Sequence, residues 1–233
     1  MGLLALAAAG LSVEWVWLCG RTPWRAPGIA VPLVVLLGGV AAALDQQGVG
    51  FGILLAGFGL LWRLSGQLPL AAGILYVGIG AIALVWLRQA GGDAGRANVL
   101  FLVLVVWASD IGAYAAGRLF GGPKLAPALS PGKTWSGSAG GLLAAMLVGA
   151  VAAGLLAPAS WGRAAAIAAL LGVASQAGDL LESGIKRHFG VKDSGRLIPG
   201  HGGLLDRLDG LLAAAPAAAA LAMVVGRGGV LWE

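Results

Sequence analysis

A chain of 233 residues that is 59% hydrophobic and only 11% charged is no ordinary soluble domain, where charged residues approach a quarter. Its mean hydropathy is +0.90, and apolar runs of about 17 to 22 residues recur, enough to cross a ~30 Å hydrocarbon core. One cysteine, Cys19, excludes an intrachain disulfide, and the net charge of +5 resides in short loops, which fits membrane topology and anionic phosphate ligands rather than nucleic acid.

Leu3 to Gly20 is the first expected span. It lacks a basic leader and carries Glu14, so it does not read as a signal peptide. The Arg21–Pro27 loop follows, then a span over Gly28 to Leu44, closed by Asp45, Gln46 and Gln47. Gly48 to Trp62 is a short apolar run, and Gln67 to Leu87 a longer one. A polar loop from Arg88 to Ala97 precedes the span Asn98 to Gly117, which has Asp110 set inside it. Arg118 to Gly137 reads as a Gly/Pro/Lys loop, followed by spans over Ser138 to Ala157, Trp161 to Leu181 and Leu211 to Gly226. The expectation is an all-α, polytopic integral membrane protein of about eight transmembrane helices. Trp24, Trp62, Trp86, Trp135 and Trp161 fall near predicted ends, as interfacial anchors do.

With eight spans, the odd-numbered loops carry 11 Lys and Arg residues, and the even loops with the C-terminal tail carry 4 when Arg163, at the start of the seventh span, is counted with them. The positive-inside rule then places the odd loops in the cytoplasm. It puts the Arg118–Gly137 loop and the segment 182–209 on the same face.

The segment from Ser175 to Gly210 is chemically unlike its surroundings. Five of the ten acidic residues (Asp179, Glu182, Asp193, Asp206 and Asp209) lie there, with both histidines, His188 and His201. A helix from Gly178 to Phe189 would place Asp179, Glu182, Ser183, Lys186 and Arg187 on one face. On a soluble helix that face would be a solvated one with pairs such as Glu182 and Lys186. Continuing from an apolar span, it reads as functional. Asp110 lies roughly 10 Å deep at 1.5 Å per residue and needs a partner, cavity or metal, with Tyr114 and Arg118 following on its face.

Ser130-Pro131-Gly132-Lys133-Thr134-Trp135 looks like the end of a phosphate-binding P-loop, but Pro127 occupies the position of the required glycine. What remains is a constrained loop presenting Lys133 and two hydroxyls. Gly200-His201-Gly202-Gly203 permits close approach of backbone N–H groups to an anion. Asp206 and Asp209 follow three apart, and carboxylates facing Asp179 and Glu182 suit a hard ion such as Mg²⁺. Cys/His spacing for zinc is absent, as is a nucleophile elbow for a hydrolytic triad.

Four blocks in order, Ser183 to Arg187, Lys192 to Gly195, Pro199 to Gly203 and Leu205 to Asp209, closely resemble the signature of the phosphatidate cytidylyltransferase (CDP-diacylglycerol synthase) family. DIGAYAAGRLFG, KLAPALSPGKTWSG and GDLLES look like its other blocks, so the resemblance covers about Ser109 to Gly210. It departs at Ile111, where the family usually has Thr, and at Ser136, where it usually has Glu.

The resemblance implies transfer of CMP from CTP to phosphatidate, giving CDP-diacylglycerol and pyrophosphate. It implies catalytic roles for Asp179, Asp206, Lys186, Arg187 and His201, and phosphate binding by Arg118, Lys124, Lys133, Thr134, Ser183 and Lys192. Asp110, Tyr114, Glu182, Asp193 and Asp209 would support them. Asp179, Asp206 and Asp209 would hold Mg²⁺, in a two-cation site whose second ion is divalent or monovalent. CTP, phosphatidate and membrane lipid are the implied partners, with a homodimer in the inner membrane and the active site toward the cytoplasm. Residues 1–97 would supply N-terminal helices, and 98–233 the catalytic region of one integrated membrane domain. Two rival readings are a CTP-dependent lipid-alcohol kinase, which would release CDP, and an ion-coupled transporter using Asp110 and Asp179 as a path.

Overall fold

The computed structural model describes the chain apart from residues 90, 158, 159, 196, 198–201, 226–228 and 233, and the side chain of Val225. Within the described residues the order is α1 (Gly2–Leu18), α2 (Ala30–Ala43), α3 (Gln47–Ser65), α4 (Leu68–Arg88), α5 (Gly92–Phe120), β1 (Lys124–Ala126), β2 (Ser130–Thr134), α6 (Trp135–Leu156), α7 (Trp161–His188) and α8 (Leu205–Val225). The fold is all-α and polytopic in character, as the composition predicts. Helices α3 to α8 are long and apolar enough to cross a membrane. Helices α1 and α2 are apolar but shorter, at 17 and 14 residues, so the expected eight spans become six long ones and two short helices. At 1.5 Å per residue, those two reach about 25 and 21 Å against a ~30 Å core.

The boundaries shift where chemistry allows. The short apolar run at 48–62 belongs to a 19-residue helix, α3, closed by Gly66 in the left-handed conformation (φ +68°). Helix α5 begins at Gly92, within the expected polar loop, and its first turn carries Asp93, which suits a helix N-terminus. The expected loop before α6 contains an antiparallel hairpin, with Lys124 opposite Thr134 and Ala126 opposite Ser130. Pro131 sits within a two-stranded ribbon, where an edge tolerates its missing donor.

The chain divides into two compact units, residues 1–86 with 186–208, and residues 87–185 with 209–233. In the first, Val16, Val31, Leu54, Leu61, Leu70, Ile74 and Ile82 form a buried core shared by α1 to α4. Trp15 lies against Gly73, its Nε1 donates to Pro69 O at 2.9 Å, and its ring stands 5.1 Å from that of Tyr76. In the second, α5 and α6 pack backbone against backbone. A Cβ on Gly112 would meet Gly140 O at 2.8 Å, one on Gly137 would meet Ala113 O at 2.9 Å, and one on Gly141 would meet Ser109 O at 2.6 Å. Small residues four apart on both helices make this approach possible, as is common between membrane helices. The C-terminal segment is tied to α5, since Asn98 donates to Gly229 O and accepts from Leu231 N, and Trp232 stacks near Phe101 at 4.5 Å.

Gly140→Val should therefore lower the melting temperature of the purified protein sharply, because its Cβ would collide with that of Ala116 and overpacking costs about 1–3 kcal/mol or more. Gly52→Ala, with open space around it, should be neutral or stabilising. Equal melting curves for the two variants would contradict the packing described.

Candidate active site

The second unit encloses a cavity of about 610 Å³. One wall is α5, through Asp110, Ala113, Tyr114, Gly117 and Arg118. The hairpin supplies Leu125, Gly132, Lys133 and Thr134, the start of α6 gives Gly137 and Ser138, and α7 gives Gln176 and Asp179. The close α5–α6 approach brings these short segments around one space.

Lys133 Nζ stands 2.5 Å from Asp179 Oδ2, with side chains 25% and 37% exposed. Partial burial makes such a pair stronger than a surface one, where screening leaves about 0–1 kcal/mol. Asp110 lies within electrostatic reach of Asp179, Asp209 and Lys133. Among the lining residues two carboxylates, Asp110 and Asp179, are matched by two cations, Lys133 and Arg118. Carboxylate oxygens in that setting fit a hard divalent cation, although no three acidic or imidazole side chains already converge as a ligand set among the described residues. Asp209 is buried and accepts from Gly210 N at 2.6 Å.

Arg118 donates to Tyr114 OH at 2.8 Å, with its guanidinium 6.0 Å from the ring centroid, so the two form one exposed polar-aromatic edge of the cavity. The expected Asp110, Tyr114, Arg118 face is thus real, but the tyrosine is engaged by the arginine. Thr134 lines the cavity and is also engaged within the hairpin. Its Oγ1 accepts from Gly137 N at 3.0 Å, capping α6, and lies 3.0 Å from Ser136 Oγ, which donates to Gly121 O. Since Ser136 spends its proton on Gly121, Thr134 donates to Ser136, and the three close the neck of the hairpin. A short hydroxyl at position 136 therefore has a structural use.

Gln176 is a residue the sequence did not single out. Its Nε2 donates to Ser138 O at 3.1 Å and Ser109 Oγ at 3.3 Å, and its Oε1 accepts from Ser138 Oγ at 2.5 Å. One amide thereby fixes α5, α6 and α7 around the cavity floor. Only its place three residues before Asp179 on the same helix could have marked it.

The first unit holds a second ionic cluster. Lys186 Nζ lies 2.6 Å from Asp206 Oδ1, with side chains 14% and 13% exposed. Asp206 Oδ2 accepts from Ser194 N at 3.0 Å and Gly203 N at 2.9 Å. Arg187 is exposed and reaches Val191 O at 3.4 Å, while Lys192 and Asp193 are exposed. Leu205 N donates to Glu14 Oε2 at 2.7 Å, so an acid of α1, used above only to argue against a leader, belongs to this cluster. Glu182 and Ser183 are buried on α7 rather than presented on an open face, and Lys124 is exposed on β1 outside the cavity lining. His201 lies outside the described residues.

A profile described as the cytidylyltransferase family matches residues 2–225. The chain belongs to that family. It is 49% identical over 189 residues to the phosphatidate cytidylyltransferase of Brucella suis biovar 1, covering 78% of this chain and 68% of that protein. It is 47% identical over 152 residues to the phosphatidate cytidylyltransferase of Staphylococcus saprophyticus, covering 61% of this chain and 54% of that one. For a member of the cytidylyltransferase family, a lysine held on a hairpin beside a cavity is chemically apt, because nucleotide substrates carry several phosphates.

Lys133→Ala should lower cytidylyl transfer by about 10- to 150-fold, the equivalent of a ~1.5–3 kcal/mol charge-assisted contact, with membrane insertion unchanged. Turnover within about twofold of wild type would make the hairpin an ordinary basic connector.

Proposed function

We propose that the protein is a phosphatidate cytidylyltransferase, which transfers CMP from CTP to phosphatidate and releases pyrophosphate. The observation that carries this reading is the Lys133–Asp179 pair on a cavity wall, in a chain whose relatives bear that name. A phosphatidate phosphate oxygen attacks the α-phosphorus of CTP, the bond to the bridging α–β oxygen breaks, and pyrophosphate leaves with its electron pair. The nucleophile is already anionic, so the protein needs to align and neutralise phosphates more than it needs a strong base.

Lys133 leaves Asp179 for phosphate when a substrate enters, which keeps the lysine charged and aimed before binding. Arg118, with Tyr114, holds anionic groups at the cavity edge, and Lys186, Arg187 and Lys192 supply further cationic contacts. Asp110 keeps Lys133 oriented through its charge. Mg²⁺ is the cofactor we assign, with Asp179, Asp206 and Asp209 as its carboxylates. When bound, it neutralises phosphate charge and favours departure of pyrophosphate. The enzyme works as a homodimer in the inner membrane with its active site toward the cytoplasm, where CTP arrives from water and the lipid from the side.

The deciding experiment incubates purified protein with phosphatidate, labelled CTP and Mg²⁺. CDP-diacylglycerol and pyrophosphate are expected. Release of CDP with a phosphorylated lipid would favour the kinase, and ion flux without CTP turnover the transporter. Across a Mg²⁺ titration, Asp179→Asn and Asp206→Asn should each fold yet lose nearly all activity, while Asp193→Asn, at an exposed position, should be milder. Full activity with an unchanged Mg²⁺ profile in the first two would remove the metal assignment. For topology, single cysteines replacing the exposed Ala128 and Val191 in a Cys19→Ser background should escape impermeant thiol reagents outside intact cells. Labelling of either would reverse the orientation.

A further inference from the structure

We infer that Glu14 is a positioning residue, which fixes the turn leading into α8 and so aims Asp206 at Lys186; this rests on the cytidylyltransferase reading above. Glu14 is the only acid of α1 and is fully buried, in a helix otherwise made of apolar and small residues with one serine. A buried carboxylate carries a desolvation cost of several kcal/mol, so its retention needs a compensating contact. Oε2 accepts from Leu205 N at 2.7 Å, at the first residue of α8. That N–H is one of the orphan donors of a helix start, where a negative charge is also favoured by the helix dipole.

The surroundings are shaped to admit the carboxylate. A Cβ on Gly195 would stand 2.7 Å from Glu14 Oε1, and one on Gly203 would stand 2.8 Å from Oε2. Neither glycine has a positive φ, so the space they leave explains them better than backbone freedom. The two glycines flank the amides that hold Asp206, because Ser194 N and Gly203 N both donate to its Oδ2. Glu14 thus grips the same turn from outside that Asp206 grips from within. Glu14 Oε1 has no hydrogen-bond partner among the described residues, so half of this carboxylate fills the glycine-lined space without a bond of its own. The consequence is a fixed placement of the Ser194 and Gly203 amides, and with it a fixed direction for Asp206, 2.6 Å from Lys186.

Glu14→Ala tests this in three measurements on the full-length protein in detergent micelles. Per folded molecule, kcat should fall at least about tenfold, while KM for CTP and phosphatidate stays within about twofold. Without substrate or metal, amide hydrogen exchange in 194–206 should accelerate, and the melting temperature gives the global loss. Glu14→Gln keeps an acceptor of the same size for Leu205 N and should restore most of kcat and protection. A lowered melting temperature with wild-type kcat per folded molecule and unchanged exchange in 194–206 would reduce Glu14 to packing and overturn the inference. If Glu14→Ala does not fold, Gly195→Ala takes its place, since its Cβ would press on Oε1; wild-type kcat and exchange in that variant would equally overturn it. Exchange is read without substrate. A wild type that makes no CDP-diacylglycerol therefore defeats the assigned reaction alone, whereas an active wild type with an unaffected 194–206 segment in the variants defeats the role of Glu14 alone.

Discussion

A carboxylate removed from water costs several kcal/mol unless a cation or a set of N–H donors answers it close by. In a chain with only ten acidic residues, this constraint governs where polar chemistry sits. Asp179 is answered by Lys133, Asp206 by Lys186 and two backbone amides, and Glu14 by the first amide of α8. The lysines involved are not free surface cations. They are held within an ångström-scale geometry, at 2.5 and 2.6 Å, by partners that phosphates can replace. An anion entering either place trades one negative partner for another without first paying to desolvate the lysine.

Such pairs need stiff supports, and the helices provide them differently in the two units. In the second, α5 and α6 meet through glycine and alanine, which removes side chains from the seam and fixes the spacing. That leaves room for the cavity beside the seam rather than within it. Gln176 then ties three helices through one amide, and the Thr134–Ser136–Gly121 chain closes the hairpin that carries Lys133. In the first unit, large side chains such as Trp15 and Leu54 fill the helix contacts, and the polar turn before α8 is held by Glu14 instead.

The departures from the family pattern are absorbed by this framework. Ser136 donates to Gly121 O and receives from Thr134, so a short hydroxyl at that position stabilises the hairpin directly. Ile111, following Asp110, is exposed on α5 and is not among the residues that line the cavity.

Composition and run length alone determined that this chain is helical and membrane-bound, because no other backbone arrangement of such apolar runs satisfies its hydrogen bonds in hydrocarbon short of a barrel. Residue chemistry also singled out the acids and lysines of 110–134 and 179–209 as the candidates for function, since charge is costly to retain in such a chain. Tertiary structure decided which acid meets which base. Lys186 Nζ meets Asp206, twenty residues away, a pairing that no helical spacing records. Glu14 and Gln176 were invisible for the same reason: each acts on a backbone or hydroxyl 191 and 38 or 67 residues distant, and no local pattern records such a partner. The hairpin of β1 and β2 was hidden as well, since its Gly/Pro-rich sequence favours turns and only a strand opposite makes a strand of it.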